Sequence, residues 1–428
     1  MASVSAQIAH VYRRLGIGAH PDLVADTGSV DEAIGRCLDL DGPEKAPQRI
    51  PVPRGWDEVY EVAADYEPIV WWIEAMAAPG RLVEERLTWF WHDHFAVSWQ
   101  KVDHPYLMWE HLRTLRRHAT GNFAELLEAV ATDPAMLFYL DGADNTVDAP
   151  NENFARELME LHTLGVGHYR QRDVVEGARA CTGWRINETR WDDEGNELVG
   201  SFERSDVAPW GAFFDPDAHD PDTKTFLGRT GRLGMGDVLA VLLDHPRTAE
   251  FVAGKLYRHL VGHDPDPRTL DRLAAGFRRD YEILPLVEAI VADPAFVADP
   301  AIRAKVRTPV EKVVTVFQSF PRVADLTAED FGWTLYDVFD RLGYLPLRPP
   351  NPAGYPEEGR LLGPGQLAAA FGILDLVEPP ADDLTADDVL DRLGLVDAGE
   401  RTRRVLAAAP NPALALALAL GSPEFLLT

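Results

Sequence analysis

The hydrophobic positions of this chain recur mostly at the spacing of an α-helix, and the clearest case lies between Asn151 and Gly165. Phe154, Leu158 and Leu161 fall on one side of a wheel drawn at about 100° per residue, and polar side chains fall on the other. Asn151 suits the N-cap, and Gly165 suits the left-handed position that ends many helices. The pattern predicts a helix of about three to four turns.

A second helix is predicted directly after this one, from Asp173 to Cys181. Asp173 and Glu176 have the spacing of a capping box, and Thr182-Gly183 stops the helical pattern. Because the connection between the two helices is short, we expect them to form a hairpin.

The rest of the chain sets the fold class. From Gly236 onward, helical segments follow one another with short connections that contain Pro and Gly. Residues 185–235 alternate weakly and are rich in Gly and Asp, which predicts a β-hairpin or an irregular excursion. We therefore expect a mainly α, multi-helix globular array with a small β or irregular insertion near 185–235. Residues 1–428 form a single unit, helical over 1–184 and 236–428, since no linker divides them.

Composition narrows the classes of partner. The content is 46% hydrophobic and 26% charged, as in ordinary globular proteins, and the net charge is −28. Nucleic acids and anionic membranes attract basic surfaces, so we expect this chain to bind neither.

The two cysteines and the N-terminus indicate the cellular compartment of the protein. Cys37 and Cys181 are far apart and form no CxxC motif, so neither a disulfide framework nor a cysteine zinc site is predicted. The N-terminus lacks a basic start followed by an apolar run, and no 18-residue apolar stretch occurs. We expect a cytoplasmic protein.

The first hypothesis for function is a metal-dependent enzyme. Glu157 lies at the edge of the apolar stripe, where a carboxylate is costly unless a cation accepts it. Glu157 and Glu160 can share a site on one helix, and His92 or His94 would complete it. On a regular helix His92 and His94 point about 200° apart, so both bind one ion only if the chain turns there. The hypothesis predicts a hydrolase or oxidoreductase that holds divalent Fe, Mn, Zn or Cu, with its substrate unknown.

The second hypothesis needs no metal. Glu157 would act as a general acid or base with Arg156, His162 or His219, as in a hydrolase or lyase for a polar substrate. HDPDTKTFLG, at 219–228, places His219 and Lys224 on a predicted loop, which could serve as a lid over an active site. In this interpretation Lys224 is a surface lysine.

The third hypothesis is not enzymatic. Glu152, Arg156 and Glu160 follow one another at i, i+4 spacing and can form an ionic ladder on the helix surface. The protein would then be a scaffold or a binding partner.

Several long motifs resemble those of one bacterial family. They are YRRLGIGAHPDL, FWHDHFAVS, PAMLFYLDGADN, NENFARELMELHTLG with DVVEGARACTGW, HDPDTKTFLG, HPRTAEFVAGKLYRHLV, RPPNPAGYP and SPEFLL. Their order and length are similar to those of the DUF1800 family, whose biochemical activity is not established. The resemblance implies a possible partner from the DUF1501 family, whose genes often neighbour those of DUF1800, and many relatives look exported.

Overall fold

The structure is a computed structural model that describes residues 2–42, 50–56, 58–61, 63–191, 197–202, 204–356 and 358–428. Twenty-two α-helices lie in these residues. The first eleven are α1 (Val4–Leu15), α2 (Pro21–Ala25), α3 (Val30–Leu38), α4 (Glu67–Ala77), α5 (Leu82–His94), α6 (Trp99–Val102), α7 (Pro105–His118), α8 (Phe123–Ala131), α9 (Pro134–Tyr139), α10 (Glu152–Glu160) and α11 (Gln171–Ala180). The others are α12 (Met235–Asp244), α13 (Pro246–Val261), α14 (Pro267–Phe277), α15 (Ile283–Val291), α16 (Pro309–Ser319), α17 (Ala328–Arg341), α18 (Pro364–Ala370), α19 (Ala386–Arg392), α20 (Glu400–Ala407), α21 (Pro412–Leu420) and α22 (Pro423–Leu426).

Within the described residues between α11 and α12, six short strands form three antiparallel pairs. The pairs are β1 (Trp184–Ile186) with β4 (Ala212–Phe214), β2 (Thr189–Trp191) with β3 (Glu197–Phe202), and β5 (Lys224–Phe226) with β6 (Arg229–Gly231). The predicted mainly α fold with a small β insertion is confirmed. Residues 192–196 and 203 of the predicted insertion lie outside the described residues.

The predicted central hairpin is formed by α10 and α11. Asn151 caps α10 as predicted, accepting a hydrogen bond from the amide of Asn153 at 2.9 Å. The start of α11 differs from the prediction, because Asp173 lies inside the helix and accepts from the amide of Arg170 at 2.9 Å. Only one half of a capping box is present: the Asp173 side chain accepts from the Arg170 amide, and the Arg170 side chain cannot accept in return. The predicted pairing of Asp173 with Glu176 is therefore wrong.

Helix α5 runs through the interior of the molecule. The pattern of LVEERLTWFWHDHFAVS predicts an amphipathic helix that ends near the histidines. The helix is present and ends at His94, but it is not amphipathic, because every residue of α5 except Asp93 is buried. The buried charged side chains on α5, which are Glu84, Glu85 and Arg86, form ion pairs inside the protein. Arg86 pairs with Glu311 at 2.8 Å, and Glu84 pairs with Arg116 at 2.6 Å. A buried helix of this kind can present a single polar group to a cavity.

The elements around α5 begin with ordinary capping signals. His245 and Pro246 start α13, and Thr308 with Pro309 starts α16, where the Glu311 carboxylate accepts from the Thr308 amide at 2.8 Å. One hydrophobic cluster extends from Ile8 to Phe425 through these helices. Among the described helices, none is both long enough and apolar enough to cross a bilayer.

Candidate functional site

A large open cleft lies where α5, α13 and the start of α16 meet the segment 344–361. Its volume is about 940 Å³. Helix α13 forms one wall through polar residues spaced three or four apart, so that they share one face. The lining residues from α5 and α13 are Arg86, Trp89, Phe90, Asp93, Arg247, Glu250, Phe251, Gly254, Lys255, Arg258 and His259. Those from other segments include Lys305, Thr308, Glu311, Tyr344 and Tyr355.

Asp93 is the one residue of α5 that is not buried, and it faces this cleft. Its Oδ1 accepts a hydrogen bond from the backbone amide of Tyr355 at 2.8 Å. Burial raises the pKa of the Asp93 carboxyl, while the Tyr355 amide, Lys255 and Lys305 act against that rise. A carboxyl with a raised pKa is a stronger base when it is ionised.

The Pro-rich segment that carries Tyr355 needs a glycine in order to reach Asp93. Gly354 has φ +95°, in the left-handed region that glycine adopts without strain. A Cβ atom at this position would lie 2.8 Å from the Asp93 carbonyl oxygen and closer still to its carboxylate. The NPAGYP sequence therefore brings its backbone close to α5 because Gly354 has no side chain.

Lys255, on α13, also lines the cleft and contacts a buried histidine. Its Nζ lies 3.0 Å from His94 Nδ1, and His94 Nε2 lies 3.0 Å from the His162 carbonyl oxygen. Because a carbonyl only accepts, His94 Nε2 carries the proton and Nδ1 accepts from Lys255. Burial, with Lys255 close by, lowers the pKa of His94 well below its ordinary value, so the ring is neutral.

The ammonium of Lys255 is thus held by a neutral imidazole and by the face of Phe251, whose ring centre is 5.5 Å away. Burial lowers the pKa of Lys255, and Asp93 acts in the opposite direction. Asp93 and Lys255 influence each other through the electrostatic field without forming an ion pair. Both groups line the cleft, and each has a hydrogen-bond partner other than the other.

His92 has a structural role beside the same cleft. Its Nε2 accepts from the amide of Leu347 at 3.2 Å and lies 3.1 Å from the Tyr355 hydroxyl, which donates to the Leu345 carbonyl at 2.8 Å. Burial lowers the pKa of His92 to about 3, so its ring is neutral. His92 therefore fixes the segment that supplies the Tyr355 amide to Asp93.

The structure does not bring together the four predicted metal ligands, His92, His94, Glu157 and Glu160. The helix continues through His94, so His92 contacts Leu347 and Tyr355 whereas His94 contacts Lys255 and the carbonyl of His162. Glu160 accepts a hydrogen bond from the Tyr169 hydroxyl. Within the part of the chain that the structure describes, no group of three His, Cys, Asp or Glu side chains is placed to hold a metal ion.

Glu157, the residue central to two of the hypotheses, is half-buried on α10, away from the residues that line the cleft. Burial and the neighbouring Glu160 raise the pKa of Glu157, and Arg156 lowers it. Arg156 pairs with Glu152 at 2.9 Å, which is one step of the predicted ladder. The Glu160 step is replaced by the bond from Tyr169.

The remaining predicted residues belong to the scaffold around the hairpin. His162 is buried, its pKa is lowered to about 3 by burial, and its carbonyl orients His94. His219 lies with Nδ1 2.9 Å from the Thr182 carbonyl. Neither imidazole is among the residues that line the cleft.

The prediction for Lys224 is wrong. The sequence predicts a surface lysine on a lid, but the side chain is 0% exposed and lies in strand β5. Its ammonium donates to the carbonyl oxygens of Asp220 and Asp222, the second at 3.1 Å, and the Asp220 carboxylate is 3.9 Å away. Lys224 therefore anchors the HDPDTK segment from inside.

The cleft residues that the sequence did not single out are Asp93, Lys255, His259 and Lys305. A signal for α13 was present, because Arg247, Phe251, Lys255 and Arg258 recur at helical spacing within HPRTAEFVAGKLYRHLV. Asp93 is harder to identify from the sequence, because it lies between His92 and His94, which were interpreted as metal ligands.

Comparison with known families gives one match. Residues 10–427 match the model of DUF1800, described as a protein of unknown function. No curated protein and no solved structure matches the chain. Because the match covers nearly the whole sequence, the chain belongs to the DUF1800 family.

Proposed function

We propose that this protein is an enzyme that uses acid–base chemistry in the cleft, with Asp93 as the general base and Lys255 as the general acid. The supporting observation is that Asp93, the one residue of α5 that is not fully buried, lines the same cleft as the amine of Lys255, and the two groups form no ion pair with each other. A substrate between them would contact both groups. Hydrolysis and elimination are the reaction classes that need such a pair.

The directions of the two pKa shifts favour this assignment of roles. A raised pKa makes the Asp93 carboxylate a better proton acceptor, and a lowered pKa makes the Lys255 ammonium a better proton donor. In these roles Asp93 acts as the carboxylate and Lys255 as the ammonium. Activity would fall at low pH as Asp93 gains its proton and at high pH as Lys255 loses its own.

The proposal changes the residues of the metal-free hypothesis and keeps its chemistry. Asp93 and Lys255, which line the same cleft, take the catalytic roles in the proposal. The earlier hypothesis gave those roles to Glu157 with Arg156, His162 or His219. A divalent cofactor and a DUF1501 partner stay predictions. Stoichiometric Fe, Mn, Zn or Cu in protein purified without a metal column, together with activity lost to a chelator, would favour the metal-dependent hypothesis.

The experiment is a search for turnover with matched variants. Wild-type protein is incubated with a library of polar small metabolites, and depletion is followed by mass spectrometry. Asp93→Asn and Lys255→Met should each reduce the rate of any conversion by about 100-fold or more, the usual range for a general acid or base. Asp93→Asn should keep the melting temperature close to that of wild type, whereas Lys255→Met should lower it, because the buried His94 Nδ1 loses its donor.

The chain offers a matched control for these substitutions. Lys101 and Asp141 form an exposed pair with an Nζ to Oδ1 distance of 2.6 Å, outside the cleft. Lys101→Met and Asp141→Asn make the same chemical changes and should convert the substrate at the wild-type rate. Equal rates in the cleft variants and the control variants would show that Asp93 and Lys255 are not catalytic.

A further inference from the structure

A groove with a volume of about 570 Å³ lies at the surface of the molecule, where α3 approaches the end of α15. Its apolar residues come from α3, from the end of α15 and from the 3₁₀ turn Pro294–Val297. They include Val30, Ile34, Leu38, Val291, Ala292 and Val297. Among the described residues, none lines both this groove and the cleft that contains Asp93 and Lys255.

Helix α3 has more apolar surface than the core covers. Ala33 and Cys37 are completely buried and belong to the hydrophobic core. Val30, Ile34 and Leu38 follow one another every four residues beside them, so they form a second row on the helix. These three side chains pack against the core, line the groove and are only partly buried. A partner that covered this row would remove further apolar surface from water.

The middle of this helix has no side chain in the groove. Gly35 is exposed and lines the groove, and a Cβ atom built on it meets no heavy atom within 4 Å. Helix formation does not favour glycine at this position, because glycine destabilises the interior of a helix relative to alanine. The missing side chain leaves room for a bulky apolar residue of a partner.

Among the described residues, the charged ones that line the groove are all acids. Asp293 is already engaged, because it pairs with Arg272 at 3.1 Å and accepts from the amide of Ala295 at 3.0 Å. Asp31 on α3 and Glu288 on α15 are exposed, and neither forms an ion pair within the described chain. Each of the two helices that line the groove therefore offers one unpaired carboxylate beside the apolar row.

We propose that this groove binds a basic amphipathic helix of another protein. Apolar residues of that helix, at i, i+3 or i+4, and i+7, would lie along Val30, Ile34 and Leu38. Lys or Arg residues beside them would pair with Asp31 and Glu288, which gives the groove its selectivity for a basic partner. The cleft plays no part in this binding.

The length and charge of the groove fit this occupant better than a second copy of the chain. Helix α3 has 9 residues, which is about 13–14 Å and matches about two turns of a partner helix. Two copies of the chain would each carry a net charge of −28, so they would repel each other.

The test uses synthetic peptides and fluorescence anisotropy. A fluorescein-labelled peptide of about twelve residues carries Leu on one helical face and Lys on the other, and a second peptide has Glu in place of every Lys. Wild type should bind the basic peptide at least tenfold more tightly than the acidic one.

A substitution that fills the groove separates specific binding from attraction to an acidic protein. Gly35→Met should weaken binding of the basic peptide about tenfold or more, as expected when a central contact is blocked. The control is Gly236→Met, at an exposed position of α12 outside the groove, where a built Cβ also meets no heavy atom within 4 Å. It should bind as wild type does. Both variants should keep the melting temperature of wild type.

A second pair of variants tests the charge. Glu288→Gln should weaken binding about two- to fivefold, the usual range for an exposed ion pair. Glu128→Gln should not weaken it, although Glu128 is also exposed and occupies the same position in the nine-residue helix α8.

Equal binding by Gly35→Met and Gly236→Met would overturn the inference, because the peptide would then respond to net charge alone. Equal binding of the acidic and basic peptides by wild type would also overturn it. Light scattering provides a third outcome: a wild-type dimer that Gly35→Met dissociates would show that a second copy occupies the groove instead.

Discussion

At the scale of single residues, burial decides what each ionisable group can do. Asp93 and Lys255 are both partly buried, and each keeps one hydrogen-bond partner that is not a charged group of opposite sign. Their pKa values are therefore displaced towards each other, as expected of groups that transfer protons. Lys224 shows a different outcome, because its buried ammonium donates to two backbone carbonyl oxygens and it is not among the residues that line the cleft.

Replacement of Lys224 should therefore affect stability. Lys224→Met leaves the carbonyls of Asp220 and Asp222 without a donor, and each such loss costs about 1–3 kcal/mol. We expect a free energy of unfolding lower by about 3 kcal/mol, measured by urea denaturation. Lys101→Met, at an exposed pair, should lower it by less than about 1 kcal/mol. Similar values for the two variants would contradict the buried anchor.

At the scale of elements, the site depends on a contact between a buried helix and an irregular segment distant in sequence. Asp93 on α5 and the Tyr355 amide are 262 positions apart. Trp89 stacks on Tyr355 at 5.4 Å, and Tyr344 stacks on the same ring at 4.4 Å, so aromatic packing holds the segment in place. Gly354 then permits the close approach of the two backbones.

Gly354→Ala should displace this segment. The new methyl group would meet Asp93, and the positive φ adds strain, so we expect a loss of about 1–3 kcal/mol in the free energy of unfolding. Amide hydrogen exchange should become faster across 344–356, because the bond from Tyr355 to Asp93 is lost. The control is Gly365→Ala, at a position with no heavy atom within 4 Å of a built Cβ. Unchanged exchange in Gly354→Ala would mean that the segment does not depend on this approach.

The sequence was informative about elements and less informative about the site. The spacing of hydrophobic residues predicted α10 and the hairpin, because both are determined by residues that are close in sequence. The partners of α5 could not be found in this way, since His94 and Lys255 are 161 positions apart. A helical wheel also cannot distinguish a surface helix from a buried one when charged residues such as Arg86 pair with partners that are distant in sequence.

At the scale of the whole molecule, buried histidines make stability depend on pH. Burial lowers the pKa of His92 and His162 to about 3 and that of His104 to about 4, from 6.5 in the unfolded chain. Below pH 6.5 the unfolded chain therefore binds protons that the folded protein does not. Asp93 and Glu157, whose pKa values are raised, have an effect of opposite sign, but only near and below the pH at which they titrate.

The free energy of unfolding should therefore fall as the pH is lowered from about 6.5 towards 4. Each of the three histidines contributes up to about 1.4 kcal/mol per pH unit. Glu311, whose pKa of about 2 reflects Arg86 and other cations acting against burial, keeps its contribution until the pH is lower still. Urea denaturation at several pH values would measure this slope. Constant stability between pH 7 and about 5 would contradict the neutral, buried state of these rings.

In the proposed mechanism Asp93 and Lys255 form one electrostatically coupled acid–base pair. The pKa of the Lys255 amine tests this coupling most directly. That pKa can be measured from the pH dependence of acetylation of Lys255, followed by mass spectrometry in wild type, Asp93→Asn and Asp141→Asn. We predict a pKa below the 10.5 of an ordinary lysine side chain, lowered further in Asp93→Asn because the carboxylate that raises it is gone, and unchanged in Asp141→Asn. An ordinary pKa in wild type, or the same pKa in Asp93→Asn as in wild type, would contradict the coupled pair.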